Sequence, residues 1–128
     1  MAHGAPDWTR QIIVVIPTST PAEAAVTKLD YVSITDTDYN TIASWTVATG
    51  KKGVLHVVEM DTDTYSKTLF QLTIAGVVQF TGIQILAALT LSYPDVQLAA
   101  GSVVLLEAKS SDGTDINVNG DIVGKEVG

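Results

Sequence analysis

From residue 28 onward the chain alternates apolar and polar positions with a period of two. Leu29, Tyr31 and Ser33 fall on one side of an extended segment, and Asp30, Val32 and Ile34 on the other. Ile42, Ser44, Thr46 and Ala48 then alternate with Ala43, Trp45 and Val47. "GVLHVVEM" at 53–60 is a near-continuous apolar strand. In "LFQLTI" Phe70, Leu72 and Ile74 oppose Leu69, Gln71 and Thr73, and "VVQF" answers across Ala75-Gly76, which predicts a hairpin. "ALTLSY", "DVQL" and "SVVLLEAKS" follow as further short strands. Asn119-Gly120 lies between short alternating runs, and Asn-Gly is the strongest short hairpin signal because both residues tolerate positive φ. No segment in this part sustains a helical period. The pattern predicts an all-β fold: an antiparallel jelly roll or β-sandwich of about eight strands, preceded by an extended N-terminal arm.

The arm is set apart by its punctuation. Pro6, Pro17 and Pro21 are three of the four prolines, and proline cannot donate to a ladder. Residues 1–27 therefore read as the arm, and residues 28–128 as the sandwich domain. "TPAEAA" has the makings of one helical turn, with Thr20 as N-cap, Pro21 next and Glu23 at the third position. "QIIVVI" at 11–16 is β-branched and free of charge, so it suits pairing with a free sheet edge. Trp8 in such an arm calls for a surface to dock on, since burying it is worth about 2–3 kcal/mol. The expected oligomer or partner contacts are Trp8, Ile12, Ile13, Val14, Val15 and Ile16, with Trp45 as either a core or an interface aromatic.

Composition narrows the function classes. The chain has 128 residues, 46% hydrophobic and only 16% charged, which suits one domain that also buries surface against partners. A net charge of −7 with 7 Lys and Arg leaves no basic stripe for nucleic acid and no attraction to an anionic membrane. "QIIVVIP" is too short to span a bilayer and has no basic region before it. With no cysteine, disulfides, thiolate nucleophiles and Cys-bound zinc are excluded.

Candidate chemistry is sparse. "DTD" occurs twice, and each pair, Asp36/Asp38 and Asp61/Asp63, can turn two oxygens to one side. Calcium wants more oxygens than either supplies, whereas Asp and Thr between strands are ordinary turn formers. Both are expected to be turns rather than metal sites. Glu59 and Glu107 are considered as a carboxylate pair on adjacent strands, but aromatic residues at 6% are few for a sugar cleft. His56 stands alone in its strand, His3 lies in the arm, and no Gly-x-Ser-x-Gly elbow is present. The expectation is a protein that is not an enzyme, with no catalytic residues, no metal and no cofactor.

Four stretches carry a resemblance: Gly53 to Leu55, Phe70 to Gly76, Leu98 to Gly113 and Val118 to Glu126. Together they resemble small jelly-roll structural proteins of tailed phages, in particular head-decoration proteins. The resemblance runs from Gly53 to Val127 and leaves the arm uncovered. It implies a non-enzymatic virion protein on the capsid surface, a homo-oligomer with a trimer favoured, bound to the major capsid protein or another virion protein. The alternative is a carbohydrate-binding or adhesin-like sandwich module.

Overall fold

The computed structural model describes residues 22–128. Eight strands account for most of them: β1 (Glu23–Ile34), β2 (Asn40–Thr46), β3 (Lys52–Thr62), β4 (Thr68–Ile74), β5 (Val77–Ile83), β6 (Leu89–Leu98), β7 (Val103–Ser110) and β8 (Ile116–Val127). One 3-10 turn, Tyr65–Lys67, precedes β4. The strands form two antiparallel four-stranded sheets, ordered β1-β8-β3-β6 and β2-β7-β4-β5. Pairing is nested: β1 with β8, β2 with β7, β3 with β6 and β4 with β5. That is one long hairpin rolled over on itself, the arrangement of a jelly roll.

Alternation explains the sandwich. Every second residue of β7 (Val104, Leu106, Ala108) and of β4 (Phe70, Leu72, Ile74) is buried between the sheets. β8 contributes Ile116, Val118 and Ile122 from the other side. Where the alternation slips, a bulge repairs it: the β2–β7 register shifts between Thr41 and Ala43, so Ile42 and Ala43 are both buried. Ala75 and Gly76 carry φ of 52° and 82°, so the β4–β5 hairpin forms where the sequence places it.

Several local expectations give way to tertiary structure. Asn119 and Gly120 form no turn but sit mid-strand in β8, Gly120 pairing with Asp30 on one side and Met60 on the other. Gly120 is required for close approach: a Cβ there would stand 2.5 Å from Leu106 Cδ2 and 3.2 Å from the Glu59 carbonyl. Glu23, Ala24 and Ala25 are not helical but open β1, paired with Val127, Glu126 and Lys125. A lone helical turn offers few hydrogen bonds, whereas the exposed flank of β8 offers a full ladder. The arm boundary moves accordingly, because residues 23–27 belong to the sandwich. "ALTLSY" and "DVQL" fuse into β6, with Pro94 tolerated on an edge strand. In β1 it is Val32 and Ile34 that turn inward, leaving Leu29 and Tyr31 on the outer face.

The two ends of the sandwich differ in content. At one end lie the start of β1, the end of β8, and the loops at 47–51, 75–76 and 99–102. Hydrogen bonds tie this end together: Gly128 N to Ala22 O (2.9 Å), Val47 N to Ser102 O (2.9 Å) and Ala75 N to Val103 O (2.9 Å). At the opposite end the loops at 35–39, 63–67 and 111–115 are joined by Ser110 N to Asp36 O and Ser111 N to Lys67 O, both 2.8 Å.

Candidate interaction surfaces

Both "DTD" segments lie at that second end, where the side chains of Asp36, Asp61 and Asp63 are engaged in structure. Asp36 Oδ2 accepts from Asn40 Nδ2 at 3.1 Å, and the Asp38 carbonyl accepts from the same nitrogen at 3.2 Å. Asp61 and Thr62 are the last residues of β3 rather than a turn, because β3 stays paired with β8 as far as Thr62, and Asp61 accepts the Tyr65 hydroxyl at 2.6 Å, which raises the Tyr65 pKa. Asp63 accepts from the Asn117 backbone N–H (3.0 Å) and side-chain amide (2.8 Å), clamping the start of β8 to the end of β3. The Asn117 backbone hydrogen bond is the main reason its pKa is lowered. Among the described residues no three His, Asp or Glu side chains gather as a metal-holding set.

Glu59 and Glu107 do not form a couple. Glu59 points outward from β3, while Glu107 points outward from β7 in the other sheet, so they occupy opposite faces of the molecule. Glu107 instead accepts from Gln71 Nε2 at 2.9 Å. Glu59 faces Asp121 across the β3–β8 ladder, and one oxygen of Asp121 is buried without a partner in the protein. His56 is half-buried beside the β3 bulge between Leu55 and Val57.

Trp45 resolves to the core of its own subunit. It is fully buried, and its Nε1 donates to Glu126 Oε2 at 2.8 Å. The same oxygen accepts the Ala48 N–H at 3.2 Å. The indole bond is the largest cause of a lowered Glu126 pKa. Gly53 and Gly124 make room for the ring: added Cβ atoms would sit 3.1 Å and 2.9 Å from indole carbons. Trp45 therefore joins β2 to β8 across the sandwich and is unavailable as a partner contact. The remaining expected contacts, Trp8, Ile12, Ile13, Val14, Val15 and Ile16, lie outside the described residues.

What the alternation reading missed is an edge. The sheets end in four edge strands: β1, β6, β2 and β5. β1 carries Glu23, Lys28 and Asp30, β6 carries Pro94, and β2 turns Ser44 and Thr46 outward. Charges, proline and short polar strands are the usual protections against edge-to-edge pairing. β5, "VVQFTGI", has neither charge nor proline. Val77, Val78 and Ile83 on it are 62%, 53% and 41% exposed. Its second half is fastened by a polar row: Tyr39 Oη accepts from Gly82 N (2.7 Å), and Thr81 Oγ1 donates to Gln71 Oε1 (2.6 Å). Lys109 Nζ stands 4.6 Å from the Tyr39 ring centre, completing the row as a cation–π contact. Its first half, at the end where the chain enters β1, carries one side-chain bond, from Gln79 Nε2 to the Val77 carbonyl at 3.2 Å, and leaves Val77 and Val78 exposed. The absence of charge in residues 77–83 was readable in the sequence, but its position at an edge was not.

No helix among the described residues is long and apolar enough to cross a membrane. Compared with models of known protein families and with curated protein sequences, the chain matches none.

Proposed function

We propose that this chain is a non-enzymatic structural subunit of a tailed-phage virion, a decoration protein that binds and stabilises the capsid surface as a homo-oligomer, with a trimer favoured. The observation that carries the reading is how the polar side chains are employed. Asp36, Asp61, Asp63, Glu107 and Glu126 each accept hydrogen bonds that hold strands or loops together. Meanwhile apolar side chains stand on the outside: Leu29 and Tyr31 on one sheet, and Val77, Val78 and Ile83 on the edge of the other. Exposed apolar positions on an edge suit assembly with like or unlike subunits. The low charge content and the resemblance across Gly53 to Val127 point the same way.

The test is co-sedimentation of the purified protein with tailed-phage capsids that lack decoration, with polysaccharides run in parallel. Saturable binding to capsids, and particles that better survive heating, are expected. Binding to polysaccharide with none to capsids would replace this reading with the carbohydrate-binding module.

A further inference from the structure

We propose that the free edge of β5 receives residues 11–16 from a neighbouring copy of this chain as an added strand. The inference deepens the structural-subunit reading and rests on its oligomer. Two observations bring the partners together. The first is that β5 is an edge strand with exposed valines and neither charge nor proline, and that the side chains fastening its backbone reach Gly82 in its second half and only the Val77 carbonyl in its first. "QIIVVI" at 11–16 is likewise charge-free and β-branched, about one strand long, and ended by Pro17, which cannot donate. Neither side brings a like charge against the other.

The second observation is where the chain outside the described residues begins. Ala22 is held by Gly128 N at the end of the sandwich that also holds the Ala75-Gly76 turn, from which β5 starts. Ala22, the first described residue, thus lies at the same end of the sandwich as the first half of β5.

The donor belongs to another copy for a reason of length. β1 and β5 lie in different sheets and at opposite edges, β1 standing over β2. Three strand spacings and one sheet separation put them roughly 17 Å apart. Fully extended, residues 17–22 cover about 20 Å. A direct path would cross the end that carries the 47–51 and 99–102 loops with only about 3 Å to spare. A neighbouring β5 has no such obstacle. Head-to-tail donation of this kind closes into a ring when the rotation permits, which a trimer satisfies.

The chain has no cysteine, so an engineered pair reports cleanly. Single cysteines are placed in turn at Ile12, Ile13, Val14, Val15 and Ile16 of the full-length protein. Each variant is mixed with Val78→Cys under mild oxidation, and Lys28→Cys on β1 serves as the reference edge. The expected result is a covalent dimer for alternate arm positions with Val78→Cys and none with Lys28→Cys. In parallel, Val78→Lys is expected to weaken self-association by at least about tenfold in sedimentation velocity, with an unchanged circular dichroism spectrum.

No dimer at any arm position overturns the proposal. So does a double-cysteine chain that links only within itself, or a Val78→Lys protein that associates like the parent. Capsid binding separates the two readings. A protein that sediments with capsids but does not cross-link sinks the strand addition alone. One that cross-links as expected yet ignores capsids sinks the virion role alone.

Discussion

The edge strands β1 and β5 face the same physical problem and meet it differently. Each presents one unpaired flank of backbone. β1 runs in register with β8 from Glu23↔Val127 to Ile34↔Ile116 without a break, and it carries charges along its length. A Lys125–Glu23 ion pair at 3.1 Å fastens its start. β5 pairs with β4 through two register shifts and carries no charge. The first edge is finished as a charged surface, while the second is left apolar and exposed. The difference shows that exposure alone does not mark an assembly face. Exposed Leu29 and Tyr31 sit in a regular, charge-flanked sheet, whereas Val77 and Val78 sit on an edge without charge or proline.

The largest effect is expected where β1's side of the sandwich is sealed. Trp45→Ala removes the ring that fills the space between β2 and β8, and frees the Glu126 carboxylate. A loss of about 3–5 kcal/mol in urea unfolding is expected. A loss below about 1 kcal/mol would mean that this side is not held from within.

Next comes the guarding of β1 itself. The double change Lys28→Val and Asp30→Val gives β1 the character of β5. Species larger than those the parent protein forms are expected by light scattering. If the size distribution stays put, charge is not what keeps β1 inert.

Acid should loosen both sheets through depressed carboxylates. Glu126 is held below its ordinary pKa chiefly by the Trp45 N–H, and Asp63 chiefly by the Asn117 backbone N–H. A group whose folded pKa is depressed gives its full stabilisation above the unfolded value. That contribution is lost as pH falls through the folded pKa. The urea midpoint is therefore expected to hold from pH 7 to about 5 and to fall below about 4. Glu126→Gln, which keeps a hydrogen-bond acceptor, should flatten part of that acid limb. An identical acid limb in the variant would assign the effect elsewhere.

The smallest effect concerns the row that links β1 to β3. Glu59 faces Asp121, which in turn faces Leu29. Like charges directly opposite are unfavourable, so Glu59→Lys is expected to raise stability by about 0.2–1 kcal/mol in the same unfolding assay. A decrease would show that the two carboxylates do not oppose each other.

The sequence by itself determined what depends on neighbours along the chain. The period of two gave strands, because successive side chains of an extended backbone point to opposite sides. Ala75-Gly76 gave its hairpin, because Gly76 takes positive φ freely and the alternating strands on either side hold Ala75 at φ 52° against the usual preference of alanine. The "DTD" segments resolved to structural carboxylates near strand ends, because Asp side chains readily bond nearby backbone and side-chain donors. Tertiary structure decided everything that required knowing which strand lies beside which. Asn119-Gly120 is as good a turn signal as any, yet β1 and β3 pair on both sides of β8 and need a residue without Cβ beneath Leu106. Glu23 to Ala25 became strand because β8 extends far enough to pair with them. Glu59 and Glu107 parted because the β4–β5 hairpin keeps two consecutive strands in one sheet, which leaves β3 and β7 in different sheets. Trp45 found Glu126, 81 residues away, and so left the surface for the core. β5 became an edge for the same reason: pairing order is set by long-range burial, and no local pattern of apolar and polar residues encodes it.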